Sequence, residues 1–273
     1  MKQDDSVFLT QSQSLPFVEM RTASDSFACY QAHSHDEFSF GVIDGECASY
    51  RNLNHTHQVH QGHTVTINPG DMHSCNPDKT QWSYRMLFVD TQWIGKLQQE
   101  WTKKSGVDYQ PFFHQYEQRS DLYWLFHQLY QSLLSEKNAL VTESLMVEYL
   151  ASIFEHPVSQ SLSKPLKTES KLNRAAEMLC DQLEVNVALD KLASEVDMSR
   201  YQLIRAFNRR YGVSPHAYQL DQRIIKAKSL LKRGLSLADT ASETGFSDQA
   251  HFQRHFKKRM AITPKLYQSF FIT

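Results

Sequence analysis

The chain has 273 residues, a length that suits two domains. Hydrophobic residues make up 41% of it and charged residues 22%, which favours a globular protein over a disordered one. The N-terminus is polar, no apolar run approaches the ~20 residues of a membrane helix, and the four cysteines form no CxxC pair. We therefore expect no signal peptide, no membrane span and no disulfide framework, and a cytoplasmic location.

The net charge of −1 conceals two halves of opposite sign. Residues 164–273 hold 19 Lys and Arg against 11 Asp and Glu, whereas residues 1–163 hold 10 against 19. A basic half favours a polyanionic partner, because each phosphate that it neutralises releases condensed counterions. A solvated charged surface explains the same numbers, so charge alone leaves the partner open.

The first part of the chain, residues 17–90, has the pattern of a β-rich region. Short apolar runs at 38–43 and 64–67 each end in a turn signal rich in Gly, Pro, Asp or Asn. Several short strands at this spacing predict a sandwich or a barrel.

From about residue 91 to 156, apolar residues recur at helical spacing, most clearly in the stripe Leu122–Leu133. A stretch rich in Pro and Ser follows, and beyond it the chain has a helical pattern almost to its end. The sequence therefore predicts an α+β protein made of an N-terminal domain over 1–156, a linker over 157–170 and an all-α domain over 171–273.

The all-α region contains an internal repeat, in which 189–218 matches 237–267. Each copy has a short amphipathic helix, a tight turn and a second helix, which is the pattern of a helix-turn-helix unit. The helix between the copies, at about 216–233, is predicted to act as a rigid spacer. Two second helices held in this way can enter successive major grooves, ~34 Å apart.

Local signals within the repeat support this interpretation. Ser199 and Ser247 are predicted to cap the second helices, while Asp197 and Gly245 occupy matching turn positions. The apolar residues expected to point inward are Leu203, Phe207, Phe252 and Phe256.

The remaining side chains of the second helices are expected to face outward. Arg pairs with guanine and Gln with adenine in a major groove, so a face rich in such residues can read base edges. The predicted DNA-binding residues are Arg200, Tyr201, Gln202, Ile204, Arg205, Arg209, Asp248, Gln249, Ala250, His251, Arg254 and Lys257. A helical hairpin that binds protein is the alternative, but the duplication within a basic half favours DNA.

The stretch 245–267 resembles the signature of the AraC family of bacterial regulators, and the resemblance covers about 170–270. It implies seven helices, with recognition helices at about 200–211 and 248–259. By position it implies base-facing roles for Tyr201, Ile204, Arg205, Gln249, Ala250, His251 and Arg254. Ile204 and Ala250 stand where the family often has polar readers, so they offer apolar contact only.

Two N-terminal stretches, 33–37 and 68–73, resemble the motifs of a cupin β-barrel, the usual sensor half of AraC-family proteins. The resemblance implies a barrel with flanking helices whose interior holds a small metabolite, by default a sugar or an amino acid. No cofactor is expected. The candidate effector-binding residues are His33, His35, Glu37, Phe40, His73, Trp82 and Tyr84.

The same histidines raise a metal alternative. His33, His35 and His73 can supply imidazoles to a divalent ion, but Glu37 stands only two residues past His35, whereas the cupin metal motif has a Glu four or five residues on. A second group of histidines, within 55–63, fits a solvated loop or hairpin better than a metal sensor.

Together these features predict a sequence-specific DNA-binding transcription regulator that a small molecule controls by population shift. The expected partners are double-stranded DNA, the effector, RNA polymerase if the protein is an activator, and a second copy bound through a helix near 120–135. That helix is equally compatible with packing on its own domain. The alternatives are a metal-dependent cupin enzyme with an appended helical domain, and an adaptor that recruits polymerase without specific DNA contact.

Overall fold

The computed structural model describes residues 6–78, 81–102, 108–135, 138–154 and 167–272. Its N-terminal part is a β-rich domain with flanking helices, and its C-terminal part is helical, so the predicted two-domain α+β layout is confirmed. The strands are β1 (Val7–Gln11), β2 (Val18–Ser26), β3 (Phe38–Gly45), β4 (Cys47–Asn52), β5 (His55–His60), β6 (Thr64–Ile67), β7 (His73–Pro77), β8 (Trp82–Val89) and β9 (Tyr116–Glu117).

In the described part of the N-terminal domain, the helices are α1 (Thr91–Thr102), α2 (Ser120–Ser135) and α3 (Ala139–Ile153). The C-terminal helices are α4 (Lys167–Asp181), α5 (Leu189–Glu195), α6 (Arg200–Tyr211), α7 (Pro215–Lys232), α8 (Leu237–Glu243), α9 (Gln249–Met260) and α10 (Pro264–Ser269). Within the described ranges, no helix combines the length and apolarity needed to cross a bilayer.

The strands form two antiparallel sheets and not the closed barrel that we expected. The larger sheet has the order β1-β2-β8-β3-β6-β9, and the smaller has the order β5-β4-β7. Outside these two sheets, the described residues form one isolated antiparallel β-bridge, between His33 and His73. The domain is therefore an open two-sheet arrangement with an interior between the sheets.

The central strand β3 pairs with β6 along one edge and with β8 along the other, and apolar cores cover both of its faces. Phe38, Phe40 and Val42 project into an apolar core shared with α2 and α3. Ile43 projects to the opposite face, into a second core between the sheets.

The apolar stripe of α2 packs on its own domain. Leu122, Phe126, Leu129 and Leu133 are fully buried in the core that also contains Phe40. The stripe that we considered for dimerisation is therefore an internal contact, and a second copy would have to bind another face of this helix.

The C-terminal region has the seven helices that the family resemblance implied. The predicted linker, 157–170, lies outside the described residues as far as 166, and residues 167–170 form the first turn of α4. The second core is continuous across the domains, since it joins Tyr50 and Tyr84 to Phe256, Met260 and Tyr267.

Candidate nucleic-acid interface and candidate ligand cavity

The first helix-turn-helix unit consists of α5 and α6. Asp197 forms the turn with a left-handed φ of 48°, as its position predicted. Ser199 caps α6 in a complete capping box, in which its hydroxyl accepts from the Gln202 N–H and the Gln202 side chain accepts from the Ser199 N–H. Leu203 and Phe207 point inward and are fully buried.

The second unit consists of α8 and α9. Gly245 forms its turn with a φ of 71°, and a Cβ there would lie 2.6 Å from the carbonyl oxygens of Leu183 and Glu184. The predicted Ser247 cap is wrong, because Asp248 caps α9 by accepting a hydrogen bond of 2.6 Å from the His251 N–H. A carboxylate suits this position, where the unpaired N–H groups of the helix begin.

The outward faces of both second helices carry the polar side chains that the repeat predicted. The exposed members of the predicted set are Arg200, Tyr201, Gln202, Arg205, Arg209, Asp248, Gln249, Ala250 and Arg254, and the half-buried members are Ile204, His251 and Lys257. Tyr201 is 67% exposed and its hydroxyl accepts a hydrogen bond of 3.0 Å from Arg205 Nη1. This bond holds the Arg205 guanidinium close to the helix surface.

Two residues of the predicted set are committed to caps. The Gln202 amide accepts from the backbone of Ser199, and the Asp248 carboxylate accepts from the backbone of His251. The cap bonds therefore occupy Oε1 of Gln202 and Oδ1 of Asp248.

The N-terminal domain holds the C-terminal end of α6. Asn54 Nδ2 donates to the Arg209 carbonyl at 2.7 Å, and Arg51 Nη2 donates to the Gly212 carbonyl at 3.2 Å. The last carbonyls of a helix lack intrahelical partners and carry partial negative charge, so these donors satisfy them.

The C-terminal end of α9 is held in the same way. The Gln31 N–H donates to the Lys258 carbonyl, and Arg21 Nη2 donates to the Met260 carbonyl, each at 2.9 Å. Because each helix rises 1.5 Å per residue, the N-terminal turns of α6 and α9 begin about 16 Å from these contacts. The ends that a helix-turn-helix directs at base edges are therefore the ends that the N-terminal domain leaves free.

The spacer helix α7 directs its cations into the protein. Arg223 is 2% exposed and donates to the Gly245 carbonyl at 2.8 Å, which ties the spacer to the second turn. Lys228 and Lys232 form ion pairs with carboxylates of the N-terminal domain. Part of the basic charge of the C-terminal half thus serves contacts between the domains.

A cavity of about 60 Å³ lies between the two sheets. Its lining is mostly aromatic and aliphatic, and consists of Arg21, Tyr30, His33, Ile43, Tyr50, Val65, Ile67, His73, Cys75, Trp82, Tyr84, Met86 and Phe88. Four of the predicted effector-binding residues are in this set, namely His33, His73, Trp82 and Tyr84.

Three predicted effector-binding residues do not line the cavity. Phe40 projects to the other face of β3, where it stacks on Tyr149 with ring centroids 4.5 Å apart. His35 is buried beside Ser39, and Glu37 forms an ion pair with Lys228. The lining residue of greatest chemical interest, Arg21, was not predicted, because β2 also carries Glu19 and Asp25 and nothing local distinguishes Arg21 from them.

Of the histidines near the cavity, His35 and His73 are buried and His33 is half-buried, and all three have lowered pKa values. Burial lowers the pKa of His33 to about 3 and that of His35 to about 4, and it lowers the pKa of His73 well below its usual value. Each Nδ1 bonds to a backbone carbonyl, that of Gln31, Glu37 or Asp71 respectively.

Glu37 does not complete a metal site with these imidazoles. Burial opposes its ionisation, but Lys228 and His35 lower its pKa to about 2, and its carboxylate lies 3.4 Å from Lys228 Nζ. Among the residues that the structure describes, no three His, Cys, Asp or Glu side chains are arranged to hold a metal ion. The second group of histidines lies on β5 and the turn that follows it.

Two family signatures match the chain. Residues 21–154 match a family described as an AraC-like ligand binding domain, and residues 192–269 match a helix-turn-helix domain. The HTH-type transcriptional regulator YbfI of Bacillus subtilis is 30% identical to this chain over 222 residues, which are 80% of each protein.

Solved structures with the same fold include ToxT from Vibrio cholerae. Its apo form has a TM-score of 0.56 and 13% identity, and the match covers 99% of this chain and 100% of that chain. A ToxT structure with bound unsaturated fatty acid has a TM-score of 0.51 and 14% identity, covering 100% of this chain and 98% of that chain. At these identities the likeness supports the two-domain architecture.

Proposed function

Because this chain belongs to the AraC family of DNA-binding transcription regulators with an N-terminal ligand-binding domain, we propose that α6 and α9 are its two base-reading helices. Each would enter one of two successive major grooves on the same side of the duplex. A small molecule in the cavity between the sheets would shift the population of conformations that present them.

The base-reading residues that we propose on α6 are Tyr201, Ile204 and Arg205, and those on α9 are Gln249, Ala250, His251 and Arg254. Arg200, Arg209 and Lys257 are assigned to phosphates, which position a protein without specifying sequence. For Gln202 and Asp248 we propose a capping role at the N-termini of α6 and α9.

One observation carries this proposal. The N-terminal domain binds the C-terminal carbonyls of both helices, at Arg209 and Gly212 and at Lys258 and Met260. The exposed N-terminal halves of α6 and α9 therefore remain available to a duplex. A repeated hairpin used only for protein contacts has no need of this shared arrangement.

The test begins with genome-wide mapping of the sites that the full chain binds, followed by affinity measurements on one mapped duplex. Arg205→Ala and Arg254→Ala should each weaken binding by about 1–3 kcal/mol and relax specificity at one base position. Lys96→Ala, which removes an exposed cation from α1, is the matched control. Unchanged affinity and specificity in both recognition-helix variants would favour the adaptor alternative.

The effector site that we propose is the cavity of about 60 Å³, which is large enough for about four to six water-sized groups. A compact metabolite fits this space, whereas a long acyl chain such as that of the fatty acid bound to ToxT would require it to widen. The continuous core between the cavity wall and residues such as Met260 offers a route by which occupancy alters the C-terminal domain.

We further propose that the protein works as a homodimer in the bacterial cytoplasm and without a catalytic step, in keeping with relatives named as transcriptional regulators. The proposed contact is the solvent-facing side of α2 and α3, where Trp124 is 62% and Leu140 74% exposed. If the protein activates transcription, RNA polymerase is its further partner.

A further inference from the structure

Arg21 presents a buried guanidinium at the wall of the cavity. The residue is 5% exposed, and its Nη2 donates to the Tyr30 hydroxyl at 2.6 Å and to the Met260 carbonyl at 2.9 Å. Its Nε is buried and has no hydrogen-bond partner among the described residues. A buried donor that has lost water without gaining an acceptor costs free energy, most of all when it is charged.

Trp82 presents a second buried donor at the same cavity. Its Nε1 also has no hydrogen-bond partner within the described ranges. The unpartnered polar atoms found on the cavity lining, Arg21 Nε and Trp82 Nε1, are thus both donors. A ligand rich in acceptors would satisfy them.

The charges around Arg21 are otherwise matched. Three other cations between the domains each have a carboxylate of their own, in the pairs Lys228–Glu37, Lys232–Glu19 and Arg259–Asp221. Glu19 lies two residues from Arg21 on the same strand, but Lys232 Nζ holds its carboxylate at 2.5 Å. No carboxylate of the described residues forms an ion pair with Arg21, so Glu19 acts on this cation only from a longer distance.

We propose that the cavity binds a compact organic anion whose carboxylate pairs with Arg21 and whose apolar part lies against Trp82, Tyr84 and Val65. The inference rests on the proposed function, in which this cavity is the effector site. A guanidinium binds a carboxylate through two parallel N–H donors, so Nε and the adjacent Nη2 are the natural pair. The neutral imidazoles of His33 and His73 add no competing charge.

This binding geometry connects the ligand to α9. Nη2 has two hydrogens, and both are in use, one on Tyr30 and one on the last carbonyl of α9, Met260. A carboxylate on Nε and Nη2 competes with one of these acceptors. Occupancy of the cavity therefore acts on the contact by which the N-terminal domain holds the second recognition helix.

The test is calorimetric titration of the full chain with sodium propionate and sodium butyrate, which match the size of the cavity, and with the neutral isosteres propionamide and butyramide. We expect one site per chain and at least about tenfold tighter binding of the carboxylate than of its amide. Arg21→Gln should abolish this preference, and Trp82→Phe, which removes the indole N–H together with part of the ring, should weaken carboxylate binding. Arg174→Gln, with the same charge change on the exposed face of α4, should bind as the wild type does.

Equal affinity for acid and amide, undiminished carboxylate binding in Arg21→Gln, or no binding of either acid would overturn the proposal. The comparison of acid with amide uses the wild type alone, so it stands even if Arg21→Gln fails to fold. Binding of a mapped duplex by the same preparation tests the proposed function separately. If the chain binds DNA but responds only to neutral metabolites, the proposed anion site is wrong and the proposed regulator function still stands.

Discussion

Asp221 of α7 accepts two hydrogen bonds from Ser34, one from the backbone N–H at 2.9 Å and one from the hydroxyl at 2.6 Å. Both residues are buried, and Arg259 Nε lies 3.5 Å from the other carboxylate oxygen. A single carboxylate thus joins the N-terminal domain, the spacer helix and the end of α9.

Removal of this carboxylate should destabilise the protein. Asp221→Ala leaves the Arg259 charge and the Ser34 N–H buried without an acceptor, so we expect the free energy of unfolding to fall by about 3 kcal/mol. Ser34→Ala removes only the hydroxyl bond and should cost about 1 kcal/mol. Urea unfolding of both variants measures the difference, and equal losses would show that the Arg259 pair contributes nothing.

The stability of the protein should depend on pH through the same region. Burial lowers the pKa of His33 to about 3, so between about pH 6.5 and 4.5 the unfolded chain takes up a proton there that the folded chain refuses. Stability therefore falls as the pH falls. Asp221 acts in the opposite direction, since burial raises its pKa to about 7 and the folded chain binds its proton first.

Two variants test these signs. His33→Gln should lower the number of protons taken up on unfolding by about one, which flattens the pH dependence by about 1.4 kcal/mol per pH unit. Asp221→Asn should raise the number of protons taken up on unfolding by about one, which makes the pH dependence of stability steeper by the same amount. The free energy of unfolding measured in urea between pH 4.5 and 6.5 gives both slopes, and an unchanged slope in either variant would show that its group titrates alike in both states.

The predictions that were confirmed rest on local signals. The cap at Ser199 and the inward pair Leu203 and Phe207 depend on residues within one or two helical turns. Even here two adjacent capping residues could not be distinguished, and the structure uses Asp248 where we expected Ser247.

The cavity was harder to predict, because its walls come from strands far apart in the sequence. Phe40, a candidate effector-binding residue, lies on the face of β3 away from the cavity, and the sequence could not show this because the apolar run of β3 carries no alternation. The importance of Arg21 depends on Met260, which lies 239 positions away, and no local pattern reports such a contact.

The proposed dimer predicts a specific sensitivity on α2 and α3. Trp124→Glu and Leu140→Glu each place a charge where an exposed apolar side chain would be buried by a second copy. We expect each to raise the dimer dissociation constant at least about tenfold, as removal of a central apolar anchor does. Val185→Glu, the same change at a residue 56% exposed in the C-terminal domain, should leave the constant unchanged. Light scattering over a dilution series measures it, and a monomeric wild type would disprove the dimer.

Gly245 should be the most sensitive position in the second helix-turn-helix. Any Cβ there meets two backbone carbonyls at 2.6 Å, and the φ of 71° adds left-handed strain. Gly62 separates the two effects, because its φ of 90° imposes strain while no atom lies within 4 Å of its would-be Cβ. We expect Gly62→Ala to cost about 1 kcal/mol of stability and Gly245→Ala about 3 kcal/mol or more. Gly245→Ala should also weaken DNA binding, because the turn that aims α9 must shift. If the two variants lost equal stability and Gly245→Ala still bound DNA as the wild type does, the backbone at 183–184 must shift to accommodate the Cβ without moving α9.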